Sequence, residues 1–202
     1  MKSKKSLILG SLLLAAVTLF AQDKKEMKAG MQMTAEQQKE QENWMKYMTP
    51  GEMQSMLAKA NGNWHEELVF WMAPDAPPTK AESECTNSMI MGGRYQESIH
   101  TGNMMGMPFE GRSVIGFDNA KKVFQSTWVD NMGSGILFME GPYDAQTKTI
   151  TMTGRMVDPM TGKIERERQV MKFIDDRTQM LEMYATKNGK EFKSMEIKFT
   201  KK

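Results

Sequence analysis

Hydrophobic positions follow two different spacings along this chain, and the change falls near residue 61. Upstream, apolar residues recur at helical intervals in Thr34–Met48 and from Pro50 to about Ala60, which predicts two short helices within residues 34–61. Thr49, followed by Pro50 and with Glu52 three positions on, is the expected N-cap of the second helix. Downstream, apolar and polar residues alternate, as is typical of half-buried strands.

Ten strand-like segments fill residues 62–202, and residues that favour tight turns separate them. The connections are short and carry no helical pattern, as at Gly92-Gly93 and Asn188-Gly189. This order predicts an all-β domain, an antiparallel up-and-down lipocalin-like (calycin) barrel of about ten strands. The predicted strands are Trp64–Met72, Thr79–Met91, Arg94–His100, Glu110–Phe117, Lys122–Val129, Gly135–Glu140, Thr147–Val157, Ile164–Phe173, Gln179–Thr186 and Glu191–Thr200.

Gly62-Asn63-Trp64 stands where the helical pattern gives way to strands. A Gly-x-Trp at the start of an antiparallel meander is how lipocalin-like barrels begin. We expect the Trp64 ring to close one end of the barrel and Gly62 to let the preceding helix approach closely. Both residues are therefore predicted to be structural residues of the barrel end.

Six short motifs between Thr49 and Lys201 occur in the order found in a known family. The motifs are Gly62-x-Trp64, Gly92-Gly93-Arg94-Tyr95, Phe109-Glu110-Gly111, Ile115-Gly116-Phe117-Asp118-Asn119, Ser126-Thr127-Trp128-Val129-Asp130 and Gly141-Pro142-Tyr143-Asp144. On these motifs the chain resembles the bacterial secreted family catalogued as domain of unknown function 1579. The resemblance implies a calycin-like barrel, and it implies no activity because the family has none established.

The N-terminus has the pattern of an export signal. A basic start is followed by the apolar run Leu7–Phe20, which is too short to span a bilayer, and Ala21 offers a cleavage point. Residues 1–21 are thus predicted to be a signal peptide and residues 22–33 a flexible leader. The mature protein is expected to be periplasmic or extracellular, with no stable membrane span after removal of the signal.

Charge and cysteine content narrow the choice of partners. The chain has 27 Lys and Arg against 25 Asp and Glu. Removing Lys2, Lys4 and Lys5 with the signal leaves 24 against 25, so no basic surface for nucleic acid is expected. Cys85 is the only cysteine, which rules out an internal disulfide and favours a buried thiol.

Strand alternation groups the polar residues that could line an interior pocket. Trp128 and Asp130 share a face, so they form either a pocket wall with a carboxylate at its rim or a core tryptophan beside a turn-closing aspartate. Arg94 and His100 also share a face, where Arg94 would bind an anionic head group if it points inward. The alternative for Arg94 is a structural pair with a carboxylate such as Asp118.

The predicted strand Ile164–Phe173 carries charges on both faces. Arg166 and Arg168 lie on one face, and Glu165 and Glu167 on the other. In a closed barrel one of the two sets must point inward, where it would meet Glu182 or Tyr184 on the next strand and form a polar pocket floor. The alternative is an ordinary cross-strand ladder of charges.

Together these features predict an uncharacterised secreted barrel that binds a small apolar or amphipathic molecule in its interior. The loop Gly102–Pro108 is expected to shape the entrance. The alternatives are a filled barrel with a structural or interaction role, an unrecognised enzyme, and a Cu(I) binder built on the 23 methionines. The candidate ligand-binding residues are Arg94, Trp128, Asp130, Met152, Met156, Arg166 and Tyr184.

The sequence predicts no catalytic residues, no metal site and no cofactor, and it leaves the oligomeric state open. The two histidines, His65 and His100, lie on separate predicted strands, which does not match the converging ligands of a zinc site. The haem-binding barrels called nitrobindins also open with Gly-x-Trp, but they bind haem through a histidine near the C-terminus. The last hundred residues here contain no histidine, so haem is not expected.

Overall fold

A computed structural model describes residues 33–104, 106–187 and 189–202. The predicted signal peptide, residues 1–21, and the predicted leader up to residue 32 lie outside these residues. The segment from Met45 to Lys202 forms one compact unit. In the described part of the chain, no helix has both the length and the apolar character that crossing a bilayer requires.

Two helices precede the strands, as predicted: α1 spans Ala35–Met48 and α2 spans Glu52–Ala58. The cap of α2 differs from the prediction. Gly51 is the N-cap, and the Gln54 side chain turns back to accept its N–H at 2.8 Å. The Thr49 hydroxyl instead donates to the Met45 carbonyl at the end of α1, because Pro50 and Gly51 form the link between the helices.

The rest of the chain forms eleven antiparallel strands, β1–β11, joined mainly by tight hairpins. Each strand pairs with its neighbours in sequence, except that β6 and β7 do not pair with each other and both pair with β8; β1 also pairs with β11. The strands are β1 Gly62–Phe70, β2 Thr79–Ile90, β3 Tyr95–Met104, β4 Met107–Asp118, β5 Val123–Asp130, β6 Leu137–Gly141, β7 Tyr143–Asp144, β8 Thr149–Val157, β9 Ile164–Asp175, β10 Thr178–Lys187 and β11 Lys190–Lys201.

The sheet closes on itself, which confirms the predicted up-and-down barrel of ten strands. Strands β6 and β7 act as one interrupted strand, because Pro142 between them has no N–H to donate. This interrupted strand closes the ring on β8 through the pairs Met139↔Gly154 and Glu140↔Thr153 and through the two pairs of β7. A ring of hydrogen-bonded strands leaves no free sheet edge, so the fold needs no disulfide to protect one.

One end of the barrel, here called the lower half, is closed by Trp64 and α2. The Trp64 ring is almost fully buried, and its Nε1 donates to the Ala60 carbonyl at 2.8 Å. Two side-chain hydrogen bonds join α2 to the barrel. Gln96 of the barrel donates to the Leu57 carbonyl at 2.6 Å, and Gln54 of α2 donates to the Phe117 carbonyl at 3.1 Å. Trp64 therefore lies buried beside the segment that leads from α2 into β1.

The lower half is filled with packed apolar side chains. One cluster surrounds Trp64, and a second one joins Leu57 of α2 to the barrel wall. Side chains that point inward here are almost inaccessible to water; the most buried are Phe124, Met139, Ile150 and Met152. Burial of this apolar surface is the main force that holds the barrel together.

The opposite end, here called the upper half, is packed less completely. Strand pairing places Ser113 opposite Trp128, and Gln169 opposite Met183, on the inner face. These side chains are only half-buried, although the barrel wall surrounds them. Further half-buried residues on the same face are Phe70, Ala81, Met104, Phe109, Ser126, Leu137, Ala185, Phe192 and Met195. Water therefore reaches the interior of the upper half, whereas the lower half is solid.

Candidate functional site

A buried polar cluster lies between the two halves of the barrel. It is built from alternate positions on three adjacent strands: β1 supplies Glu66, β2 supplies Ser83 and Cys85, and β3 supplies His100. Register brings them together, because Glu66 pairs with Ser83 and Cys85 pairs with His100. These four side chains are here called the inner cluster.

Glu66 organises the inner cluster. One of its carboxylate oxygens lies 2.8 Å from Nδ1 of His100, and the other accepts a hydrogen bond from the Ser83 hydroxyl. Its side chain is only 1 % exposed, against 11 % for that of His100. A buried carboxylate costs several kcal/mol to desolvate unless its oxygens are paired, and both are paired here. Glu66 thus fixes the His100 imidazole through Nδ1, and Ser83 in turn holds Glu66 in place.

Cys85 faces the other ring nitrogen of His100. Its sulfur lies 3.9 Å from His100 Nε2, and its S–H donates to the side-chain oxygen of Asn87 at 3.1 Å. The Asn87 amide donates in turn to the Ala60 carbonyl at the end of α2. The inner cluster is therefore tied to the closed end of the barrel, and the thiol is free and buried, as predicted.

Trp128 covers the inner cluster on the side of the upper half. Its ring meets the His100 ring edge-on at 5.1 Å, and its Nε1 donates to Asp130 at 2.6 Å. The other oxygen of Asp130 accepts the Met132 N–H, so this aspartate holds the tryptophan and also closes the turn. Gly111 leaves the room for this arrangement, since a Cβ there would come within 2.5 Å of the Trp128 ring.

Glu167 points into the upper half from β9. It stands between two small residues, opposite Gly154 on one side and Ala185 on the other. The residue is 6 % exposed, yet its carboxyl has no hydrogen-bond partner among residues 33–104, 106–187 and 189–202. Burial, together with the neighbouring Glu165, raises the pKa of Glu167 to about 7. A buried carboxyl with an unfilled hydrogen-bonding capacity is a ready anchor for a bound molecule.

Several predicted site residues lie on the outer surface instead. Arg94 is exposed in the turn before β3, where its guanidinium donates to the Met91 carbonyl at 3.1 Å. Of the two charge sets on β9, the glutamates point inward and the arginines outward, so Arg166 is no interior anchor. Tyr184 is also outward, with the Arg168 guanidinium 3.8 Å above its ring. The prediction that Arg94 or Arg166 would bind a ligand inside the barrel is therefore wrong.

The two methionines predicted to bind a ligand, Met152 and Met156, lie in different environments. Met152 is fully buried in the lower half, where it fills the core and lines no accessible space. Met156, four residues further along β8, reaches the upper rim and is 42 % exposed. The predicted entrance loop Gly102–Pro108 is shorter than expected, because β3 continues to Met104 and β4 starts at Met107.

An open groove of about 280 Å³ lies on the outer face of the barrel wall. Its walls include outward-facing aromatic residues of β3 and β6, Tyr95 and Phe138, and the exposed Arg94. Asn119 closes one side, where its amide donates to the carbonyls of Tyr47 and Thr49 at 3.0 and 2.9 Å. Arg94 thus belongs to this outer groove, which is separated from the inner cluster by the barrel wall.

Comparison with known proteins identifies the family. Residues 49–201 match the model of the family described as "Protein of unknown function (DUF1579)". The chain belongs to the DUF1579 family. The match includes α2 and all strands of the barrel, whereas α1 precedes the matched residues. No curated protein matches this chain.

The inner cluster gives this DUF1579 barrel a thiol, an imidazole and a carboxylate in line, the order found in thiol-dependent hydrolases. Burial, and secondarily the nearby Glu66, raises the pKa of the Cys85 thiol. That shift opposes the thiolate that a nucleophile requires. The same three residues can instead offer ligand atoms to a metal ion, since these atoms lie within 4.8 Å of one another.

Sequence reasoning did not find the inner cluster or the role of Glu167 in this DUF1579 barrel. A signal was present: Glu66 stands between Trp64 and Leu68 at strand spacing, which places a carboxylate on an apolar inward face. Such a residue is expected to find a buried partner. Its partner, His100, is 34 residues away, and only the strand register brings the two together.

Proposed function

We propose that this protein is exported and binds a small, largely apolar molecule that carries a hydrogen-bond donor group, inside the upper half of its barrel. The observation that carries the proposal is Glu167, a residue that is only 6 % exposed, whose carboxyl reaches the accessible space of the upper half and has no hydrogen-bond partner among the described residues. Ligand sites in barrels combine an apolar lining with a few polar groups of this kind.

The lining of the upper half supports an apolar ligand. Methionine and aromatic side chains predominate among its half-buried residues, including Met104, Met183, Met195 and Phe109. Methionine adapts its shape to different ligands, since it is unbranched and its thioether is polarisable. Small residues such as Ala185 leave space between these larger side chains.

The charges of the upper half favour a ligand whose head group donates a hydrogen bond over a ligand with an acidic head group. Among the described residues that are buried or half-buried, the acidic and basic side chains that face the interior here are Glu165, Glu167, Asp130 and, below them, the His100–Glu66 pair. A carboxylate ligand would meet like charges in a poorly solvated space, which costs several kcal/mol. A hydroxyl or amine would instead donate to Glu167.

Export is part of the proposal and rests on the N-terminal sequence. The basic start, the apolar run Leu7–Phe20 and Ala21 fit a cleaved signal peptide. The barrel would then act outside the cytoplasm. Mass spectrometry of the mature N-terminus from cell fractions tests this part separately from ligand binding.

Native mass spectrometry of the protein purified from its own host would identify a molecule that co-purifies with the barrel. The head-group preference is tested by calorimetry with octylamine, octanol and octanoate, which share one chain length. We expect octylamine and octanol to bind and octanoate to bind at least about tenfold more weakly, the equivalent of one charged hydrogen bond.

The variant Glu167→Gln should reduce the preference for octylamine over octanoate by about tenfold, because a neutral amide no longer attracts the ammonium. Arg166→Gln is the matched control, since it neutralises the adjacent residue, whose side chain faces outward. Tighter binding of octanoate than of octylamine to the wild type would contradict the proposed head group. No binding of any of the three, with no co-purifying molecule, would contradict interior binding altogether.

A further inference from the structure

We infer that Cys85 and His100 form a binding site for one thiophilic metal ion, Cu(I) or Zn(II), with Glu66 as the positioning residue of the imidazole. This site is distinct from the ligand space proposed above and does not depend on it. It uses the inner cluster, whose thiol and second ring nitrogen have no role in interior ligand binding.

The distance between the two ligand atoms suits a shared metal ion. Cys85 Sγ and His100 Nε2 lie 3.9 Å apart. With metal–sulfur and metal–nitrogen bonds of about 2.3 and 2.0 Å, this separation corresponds to an angle of about 130° at the metal. That angle is wider than tetrahedral and suits Cu(I) with two or three ligands, whereas a tetrahedral Zn(II) would bring the two ligand atoms closer together by about 0.4 Å.

The hydrogen bond from His100 to Glu66 prepares the imidazole for this role. With Nδ1–H donated to the carboxylate, Nε2 keeps its lone pair and faces the sulfur. Metal-binding histidines usually have such a carboxylate behind them, which fixes the ring and increases its basicity. The Ser83 hydroxyl donates to the other oxygen of Glu66 and so fixes the carboxylate that positions the imidazole.

Metal binding would replace the thiol proton. The neutral Cys85 thiol releases H⁺ to water and forms a metal–sulfur bond, and no electron is transferred. Asn87 Oδ1, which now accepts the S–H at 3.1 Å, is left as a further oxygen donor beside the sulfur. Thiolate and imidazole together favour soft or borderline ions, which is why Cu(I) and Zn(II) are expected rather than Mg(II) or Ca(II).

The test titrates the metal-free, reduced protein with Cu(I) or Zn(II) in competition with a chromogenic chelator. We expect one equivalent of at least one ion to be bound by the wild type and lost in both Cys85→Ser and His100→Gln. His65→Gln is the matched control, because it removes the other histidine, which is half-buried on the outward face of β1. Methionines elsewhere in the chain can also bind Cu(I), so the measured quantity is the difference of one equivalent between the wild type and Cys85→Ser.

A separate readout tests the role of Glu66. Glu66→Gln should weaken metal binding by about 10- to 100-fold while both ligands remain. Co(II), used in place of Zn(II), should give the near-ultraviolet absorption of a cobalt–thiolate bond in the wild type and in His65→Gln, and it should not do so in Cys85→Ser. X-ray absorption of the wild type with Zn(II) should show a sulfur neighbour, a measurement that does not require any variant to fold. Equal binding by the wild type and Cys85→Ser, or only nitrogen and oxygen neighbours around zinc, would overturn the inference.

Discussion

Replacing Glu167 with glutamine should make the barrel more stable at neutral and alkaline pH. The wild-type carboxyl is enclosed in the upper half of the barrel, with Glu165 nearby and no hydrogen-bond donor among the described residues. Its charged form is therefore unfavourable in the folded protein, and the pKa rises to about 7. Glutamine has nearly the same shape and never carries this charge.

The direction and size of the effect follow from proton linkage. In the unfolded chain, Glu167 should titrate near its ordinary value of 4.5. Between pH 4.5 and about 7 the folded state therefore keeps a proton that the unfolded state has lost, so the free energy of unfolding falls as pH rises through this window. This shift in pKa corresponds to a loss of about 3 kcal/mol in the free energy of unfolding. The loss is complete above pH 7 and absent below pH 4.5.

Urea unfolding of the wild type and Glu167→Gln at several pH values between 4 and 8.5 measures this difference. The variant should have about the same stability as the wild type at pH 4 and about 3 kcal/mol more at pH 8. Glu67→Gln serves as the control, because Glu67 is outward-facing and paired with Lys198, which lowers its pKa. A stability difference for Glu167→Gln that stays constant across the whole pH range would refute the reasoning.

Two glycine substitutions test the packing of the barrel. Gly111→Ala would place a Cβ within 2.5 Å of the Trp128 ring, so we expect a loss of about 1 to 3 kcal/mol in urea unfolding and a shifted tryptophan emission spectrum. Gly141→Ala would place a Cβ 1.9 Å from a backbone oxygen of β8, and we expect a loss of at least about 3 kcal/mol, because a strand must move. Gly135→Ala, where no atom lies within 4 Å, is the control for both and should unfold like the wild type.

The architecture could be predicted because its signals are local. Alternation of apolar residues and the chemistry of turns identified ten strands, and Gly62-x-Trp64 identified the closed end. The prediction that one charge set on β9 enters the barrel was also sound, since alternation separates Glu167 from Arg168 whichever face is inside. Alternation alone could not say which set enters, and the choice of Arg166 as an interior anchor was wrong.

The candidate site was harder to predict because it depends on register between distant segments. Glu66, Cys85 and His100 come from three strands, and a shift of one residue in either pairing would turn one of them outward. Arg94 was misplaced for a local reason. The turn of Gly92 and Gly93 extends through this residue, so β3 begins one position later than predicted and Arg94 never joins the strand.

The pairing between strands is weakest where β6 and β7 meet β8 on either side of Pro142, a place here called the seam. Elsewhere neighbouring strands share at least five residue pairs, whereas β6 and β8 share two, and the short β7 adds two more. Thermal fluctuations that part the wall should therefore do so first between Met139 and Gly154, and amides there should exchange with deuterium sooner than those of β1 and β11. Opening of this seam would connect the barrel interior to solvent through the wall as well as over the upper rim.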